Sequence, residues 1–233
     1  GKTDMYMYVD KNEYAPVRKE LEDLILRVQT GMRSSHGISF RFRLMGSGRK
    51  HLIVKNCWVD GGYEFDFDLV MLHPGEKEYK AHLIMKYFMD AFKEALKGSE
   101  YSNPMNPTTS ITLKLVNKNT KTVRCICNFT ILYYGTCEEM NGFYYLRYNT
   151  KLKIYEFAFR EMASDIGEKV DAIMEQDGWK LFRREYLKIK NINEGKVKPS
   201  YSIYAEAVNN TYNQMFKPLA GGFLSTGEAK EKQ

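Results

Sequence analysis

Two aspartates spaced two apart, Asp66 and Asp68, sit in the alternating stretch Tyr63–Met71. On a β-strand, side chains at i and i+2 leave the same face, so both carboxylates can meet one ligand. Like charges on one face repel, and a divalent cation such as Mg²⁺ or Mn²⁺ relieves the repulsion. Such ions also accept phosphate oxygens, so the pair suits phosphoryl or nucleotidyl chemistry. Upstream, Gly46-Ser47-Gly48 closes another alternating stretch, Ile38–Met45. The glycines let backbone approach a ligand closely, and Ser47 offers a hydroxyl and amides to a phosphate oxygen. Each feature has a plainer reading: Asp-x-Asp as a solvated face behind an aromatic one, and Gly-Ser-Gly as a turn. Their order, turn first and acidic strand second, is what phosphate chemistry requires.

The elements that must position these residues are legible in the hydrophobic periodicity. Val17, Leu21, Leu24, Ile25 and Val28 follow the helical period and predict a helix over 11–31, closed by Gly31. Ile38, Phe40, Phe42 and Leu44 alternate with Ser39, Arg41 and Arg43, a half-buried strand. In Tyr63–Met71, the odd positions form an apolar face and Glu64, Asp66, Asp68 and Val70 the opposite one. A second helix is expected over 77–97, with Gly98 as its C-cap. Ile111–Val116 and Thr122–Tyr134 read as a hairpin across Asn117-Lys118-Asn119-Thr120, and Gly142–Tyr148 with Lys151–Phe159 as another. Beyond residue 164 the pattern turns helical, over Ile166–Met174, Trp179–Lys190 and Tyr201–Phe216. The expected class is α+β: a mixed β-sheet lobe with flanking helices over residues 1–163, then a helical part over 164–217. The tail 218–233 is Gly-rich, then charged, and is expected to be disordered.

The chain has 233 residues, 43% hydrophobic and 14% aromatic, which supports a sizeable core and argues against disorder. Its net charge of +6 suits a phosphate-rich partner but does not choose among nucleotide, RNA and DNA. Cys125 and Cys127 lie two apart on a strand, a spacing that disfavours a disulfide; buried free thiols are expected. The histidines 36, 51, 73 and 82 show no ligand spacing, and no zinc pattern is present. With no long apolar run and no leader pattern, the expected compartment is cytoplasmic, with no membrane partner.

The order Leu44-Met45-Gly46-Ser47 followed by Phe65-Asp66-Phe67-Asp68-Leu69 resembles the DNA polymerase β-like nucleotidyltransferase superfamily. The layout, with its helical end, is nearest to the branch of oligoadenylate synthetases and cyclic GMP–AMP synthase-like enzymes. The resemblance implies that Gly46 and Ser47 hold a donor triphosphate, and that Asp66 and Asp68 are the catalytic metal ligands for Mg²⁺ or Mn²⁺. It also implies a third carboxylate on a later central strand, where it helps deprotonate the acceptor. The matching position carries Asn128, and an amide is neither a base nor a strong metal ligand. Ser47 and Asp66 are separated by 18 residues, longer than the compact motif, and Arg49, Lys50, His51 and Lys55 lie between them. On the helix 179–190, the resemblance suggests Lys188 as a triphosphate contact and Tyr186 as a base-stacking ring. A helix with an aromatic core side and a charged outer side explains the same residues.

Three functions follow. The leading one is metal-dependent transfer of a nucleoside monophosphate from a nucleoside triphosphate to a hydroxyl, with pyrophosphate release; the acceptor would be a nucleotide, RNA or another hydroxyl. The alternative, supported by Asn128, is a catalytically weak or inactive nucleotide-binding sensor or scaffold. A nucleic-acid-binding domain without nucleotide chemistry is the third, and the acidic strand is awkward for it.

Overall fold

The computed structural model describes residues 5–44, 52–57, 62–72, 78–105, 110–117, 119–136, 141–160, 166–193 and 200–217. Gly46 and Ser47, with Arg49, Lys50 and His51, lie outside the described residues, as does the tail 218–233. The chain divides into two units, Gly1–Glu161 and Met162–Gln233.

In chain order the first unit comprises β1 (Tyr6–Tyr8), α1 (Lys11–His36), β2 (Phe40–Leu44), β3 (Val54–Asn56), β4 (Tyr63–Met71), α2 (Ala81–Ala95), β5 (Ile111–Val116), β6 (Val123–Thr136), β7 (Asn141–Asn149) and β8 (Ile154–Phe159). The eight described strands form one mixed sheet. Its centre is the parallel pair β4 and β6, in register from Tyr63 opposite Cys125 to Met71 opposite Tyr133. The other edge of β4 carries β2 and β3, both antiparallel. β5 and β7 pair antiparallel with β6, and β8 with β7. The expected α+β class with a mixed sheet is what the structure shows.

The helices cover one face of the sheet. Tyr14, Val17, Leu21, Leu24, Ile25, Val28 and Met32 form the buried stripe of α1. From α2, Ile84, Met85, Phe88 and Phe92 are buried. The facing strand residues are the odd positions of β4, Phe65, Phe67, Leu69 and Met71, and Cys125, Cys127 and Phe129 of β6. Aromatic rings make the seam: Phe129 stacks on Phe67 at 5.7 Å and meets Phe92 at 4.8 Å. Full burial of each such ring contributes roughly 2–3 kcal/mol. Because strand side chains alternate, fixing the odd positions inward commits Asp66 and Asp68 to the opposite face.

Three local expectations need correction. The first helix does not stop at Gly31; it runs to His36 and ends at Gly37, whose φ of 66° is the left-handed cap that glycine favours. The apolar stripe continues to Met32, and burial of Met32 outweighs the penalty of one helical glycine. The second helix starts at Ala81 rather than 77. The short strand β1 was not legible at all: its three residues become a strand by pairing with β3, Tyr6 opposite Asn56.

The second unit comprises α3 (Ile166–Glu175), α4 (Trp179–Ile192) and α5 (Ser200–Phe216). Phe182 is its centre, stacked on Trp179 at 4.5 Å and edge-on to Tyr204 at 5.5 Å. Among the described residues no helix is long and apolar enough to cross a membrane.

Burial also sets an alkaline limit. Desolvation pushes the Cys125 thiol up to about 12. Desolvation, then the hydrogen bond that the Tyr63 hydroxyl donates to Glu13 Oε2 at 2.7 Å, pushes that phenol up to about 12. In the unfolded chain these groups lose protons near their ordinary values of 9.0 and 10.0. The stability they confer is therefore complete below about pH 9 and is lost between about pH 9 and 12. The urea midpoint is expected to fall between about pH 8 and about pH 10.5; an unchanged midpoint would contradict the assignment.

Candidate active site

The acidic face is built on the inner strand β4. Asp66 and Asp68 share that face, as their spacing requires, but their surroundings differ. Asp66 is half-buried and lies opposite Asn128 in the β4–β6 register. The Asn128 amide donates from Nδ2 to Asp66 Oδ1 at 3.3 Å, and the Thr112 hydroxyl of β5 donates to Asn128 Oδ1 at 2.7 Å. A carboxylate only accepts hydrogen bonds, so the amide nitrogen must face Asp66, leaving Oδ1 for Thr112. An aspartate at position 128 would instead set two carboxylates side by side and require a cation between them.

Asp68 is only 4% exposed. Its Oδ2 accepts from Arg43 Nε at 3.2 Å and Nη2 at 3.1 Å. Arg160 donates from Nη1 to Oδ2 at 3.2 Å and from Nη2 to Oδ1 at 3.4 Å. Arg43 is Asp68's cross-strand partner on β2. Arg160 follows directly after β8 and is held by its backbone N–H donating to the Phe143 carbonyl at 2.8 Å. It is itself 7% exposed. Removing a carboxylate from water is costly, and paired guanidiniums with several hydrogen bonds are what makes it tolerable.

Arg43 has a second environment. Its side chain is 54% exposed, and its guanidinium lies 5.5 Å from the Phe143 ring centre. With Arg41, Val70, Tyr134 and Phe143 it lines a cavity of about 540 Å³. Tyr134 and Phe143 meet edge to face at 5.3 Å.

The structure thus brings together Asp66, Asp68 and Asn128. It adds Arg43, Arg160 and Thr112, which sequence reasoning did not assign to the site. Arg43 was visible as a polar-face residue of its strand. Arg160 lies 92 residues from Asp68 and carries no local signal. Lys188 and Tyr186 belong to the second unit. Lys188 is exposed on α4. Tyr186 is 3% exposed, and its ring centre lies 6.2 Å from that of Phe182. The aromatic side of α4, with Phe182 and Tyr186, is buried.

The donor set can be tested against the divalent ions expected from the sequence. Among the described residues no group of three or more His, Cys, Asp or Glu side chains is placed to hold a metal. A two-ion centre bridged through carboxylates needs oxygens open to both ions. Asp68 has both oxygens committed to guanidiniums, and position 128 supplies an amide. The face therefore suits at most one ion, at Asp66, and does not suit a pair shared through Asp68.

Solved structures of known proteins give the class of fold. The chain is similar to the CD-NTase CdnG of Bradyrhizobium diazoefficiens in complex with GTP, with a TM-score of 0.55 and 13% identity over 88% of this chain and 67% of that one. It is similar to the Vibrio cholerae DncV cyclic AMP-GMP synthase in complex with nonhydrolyzable GTP, with a TM-score of 0.57 and 11% identity over 88% and 68%. The same synthase with a linear pppApG intermediate gives 0.56 and 12% over 88% and 68%. The chain thus spans about two thirds of the length of these structures. No family model matches the chain, and no curated protein matches its sequence. The fold is that of the nucleotidyltransferases of the CD-NTase type, in agreement with the polymerase β-like resemblance.

The unequal pairing of the two aspartates is measurable. Asp68→Asn leaves Arg160 buried beside a neutral amide and is expected to destabilise the fold by about 3 kcal/mol. Asp66→Asn, at a half-buried position, is expected to change stability by less than about 1 kcal/mol. Urea unfolding of both variants checks this. Equal effects, or stabilisation by Asp68→Asn, would show that Asp68 behaves as an uncompensated ligand carboxylate.

Proposed function

We propose that the protein binds a nucleoside triphosphate over the Asp66–Asp68 face and transfers its nucleoside monophosphate to a hydroxyl slowly or not at all. The observation that carries this reading is Asn128, hydrogen-bonded to Asp66 across the β4–β6 register where the resemblance implies a third carboxylate. Binding is supported by the fold shared with structures that hold GTP and by the cluster of arginines beside the acidic strand. Gly46 and Ser47 would grip the triphosphate, as their motif implies.

The chemistry follows from the residues. Asp66 would orient the donor; Mg²⁺ or Mn²⁺, when held at that carboxylate, would supply activation of the α-phosphate for the transfer step rather than for binding. The acceptor hydroxyl must lose its proton, and Asn128 cannot take it. Without that base, attack on the α-phosphate is slowed while binding is retained. The acceptor would be a nucleotide or an RNA end. A sensor or scaffold is the same reading with the transfer step lost altogether.

Restoring the base tests the proposal. Asn128→Asp is expected to raise pyrophosphate release from ATP or GTP with Mg²⁺ or Mn²⁺ by about 10²-fold, the lower end of general-base contributions. Adding Asp66→Ala is expected to abolish the gain. Rapid release by the unaltered chain that survives Asp66→Ala would sink the reading.

A further inference from the structure

The acidic face is already charge-compensated by the chain itself. Asp66 has an amide donor in Asn128, and Asp68 has two guanidiniums. The two arginines are not equivalent. Arg160 is almost wholly buried and grips both oxygens of Asp68. Arg43 touches only Oδ2, is half exposed and faces the cavity lined by Arg41, Tyr134 and Phe143.

A dication at Asp68 would have to displace these guanidiniums. Arg160 would then be a buried cation without its carboxylate and next to a second positive ion, which desolvation and repulsion both oppose. Asp68 is therefore closed to a metal while Arg160 is in place. Arg43 can leave at little expense, because Arg160 keeps Asp68 neutralised and Arg43 stays in partial contact with water. Its guanidinium has the fork geometry that suits phosphate oxygens, and Arg41 lies beside it on the same face of β2.

We propose that Arg160 is the fixed counter-cation of Asp68 and Arg43 the exchangeable one, so that this face binds the phosphates of a nucleoside triphosphate without a divalent ion. The inference rests on the nucleotide-binding reading above and specifies how the site is neutralised. On binding, Arg43 turns from Asp68 to a phosphate oxygen, while Arg160 keeps the aspartate paired. Arg160 is a positioning residue; Arg43 touches the ligand.

Calorimetric titration of the full chain with ATP and GTP, in EDTA and in Mg²⁺, tests this. The dissociation constant in EDTA is expected within about threefold of that in Mg²⁺, because guanidiniums do the neutralising. Arg43→Gln should weaken binding about tenfold in both conditions, the loss of one charge-assisted contact. Arg160→Met should weaken binding in EDTA and regain it in Mg²⁺, since Asp68 then becomes available to the ion, and Arg160→Lys should behave like the unaltered chain. If Arg160→Met does not fold, as circular dichroism would show, the unaltered chain and Arg43→Gln still decide. Binding seen only with Mg²⁺ would overturn the inference and leave the nucleotide reading standing. Absence of binding in both conditions would overturn both.

Discussion

The parallel pairing of β4 with β6 is the constraint on which the rest of this domain depends. The two strands lie at the centre of the sheet, with antiparallel neighbours on both outer edges. Their odd-numbered residues are driven inward by burial against α1 and α2, and alternation then leaves the even-numbered residues of β4 no choice of face. A parallel pair also requires a crossover, which α2 and the β5 strand supply before the chain returns as β6. The register that results sets Asp66 opposite Asn128 and Asp68 opposite Thr130. A slip of one residue would turn the aspartates into the aromatic core.

On that frame, electrostatics decides what the site can be. Two carboxylates side by side on a sheet need positive charge, and the source of that charge separates one kind of site from another. At Asp66 the neighbour is a neutral amide. At Asp68 it is a pair of guanidiniums, one of them buried. The Asp-x-Asp pair is present, but both oxygens of Asp68 and Oδ1 of Asp66 accept hydrogen bonds from the chain's own donors. The fold is similar to that of solved CD-NTase structures, and the proposed nucleotide binding with little turnover rests on the local compensation.

Most of the architecture could be read from the residues because it rests on local periodicity. The stretch Tyr63–Met71 alternates cleanly, and β4 has those same bounds. The hairpin of β5 and β6 and the three helices of the second unit follow from patterns confined to short windows. Reading failed where local and tertiary preferences diverge. Gly31 looked like a stop, but continued burial through Met32 carried the helix on to Gly37. β1 is too short to announce itself and exists only through its partner β3.

The sequence by itself determined the face of the aspartates, the absence of a carboxylate at position 128 and the succession of a mixed sheet by helices. These are one-dimensional facts, because side-chain direction in a strand repeats every second residue. Only the tertiary structure decided what each aspartate touches. Arg43 reaches Asp68 through strand pairing across 25 positions, and Arg160 reaches it across 92, after two further hairpins. A pairing over such distances leaves no periodic trace in the chain. It arises because a carboxylate buried by the packing of the sheet must find its counter-charge wherever the fold brings one.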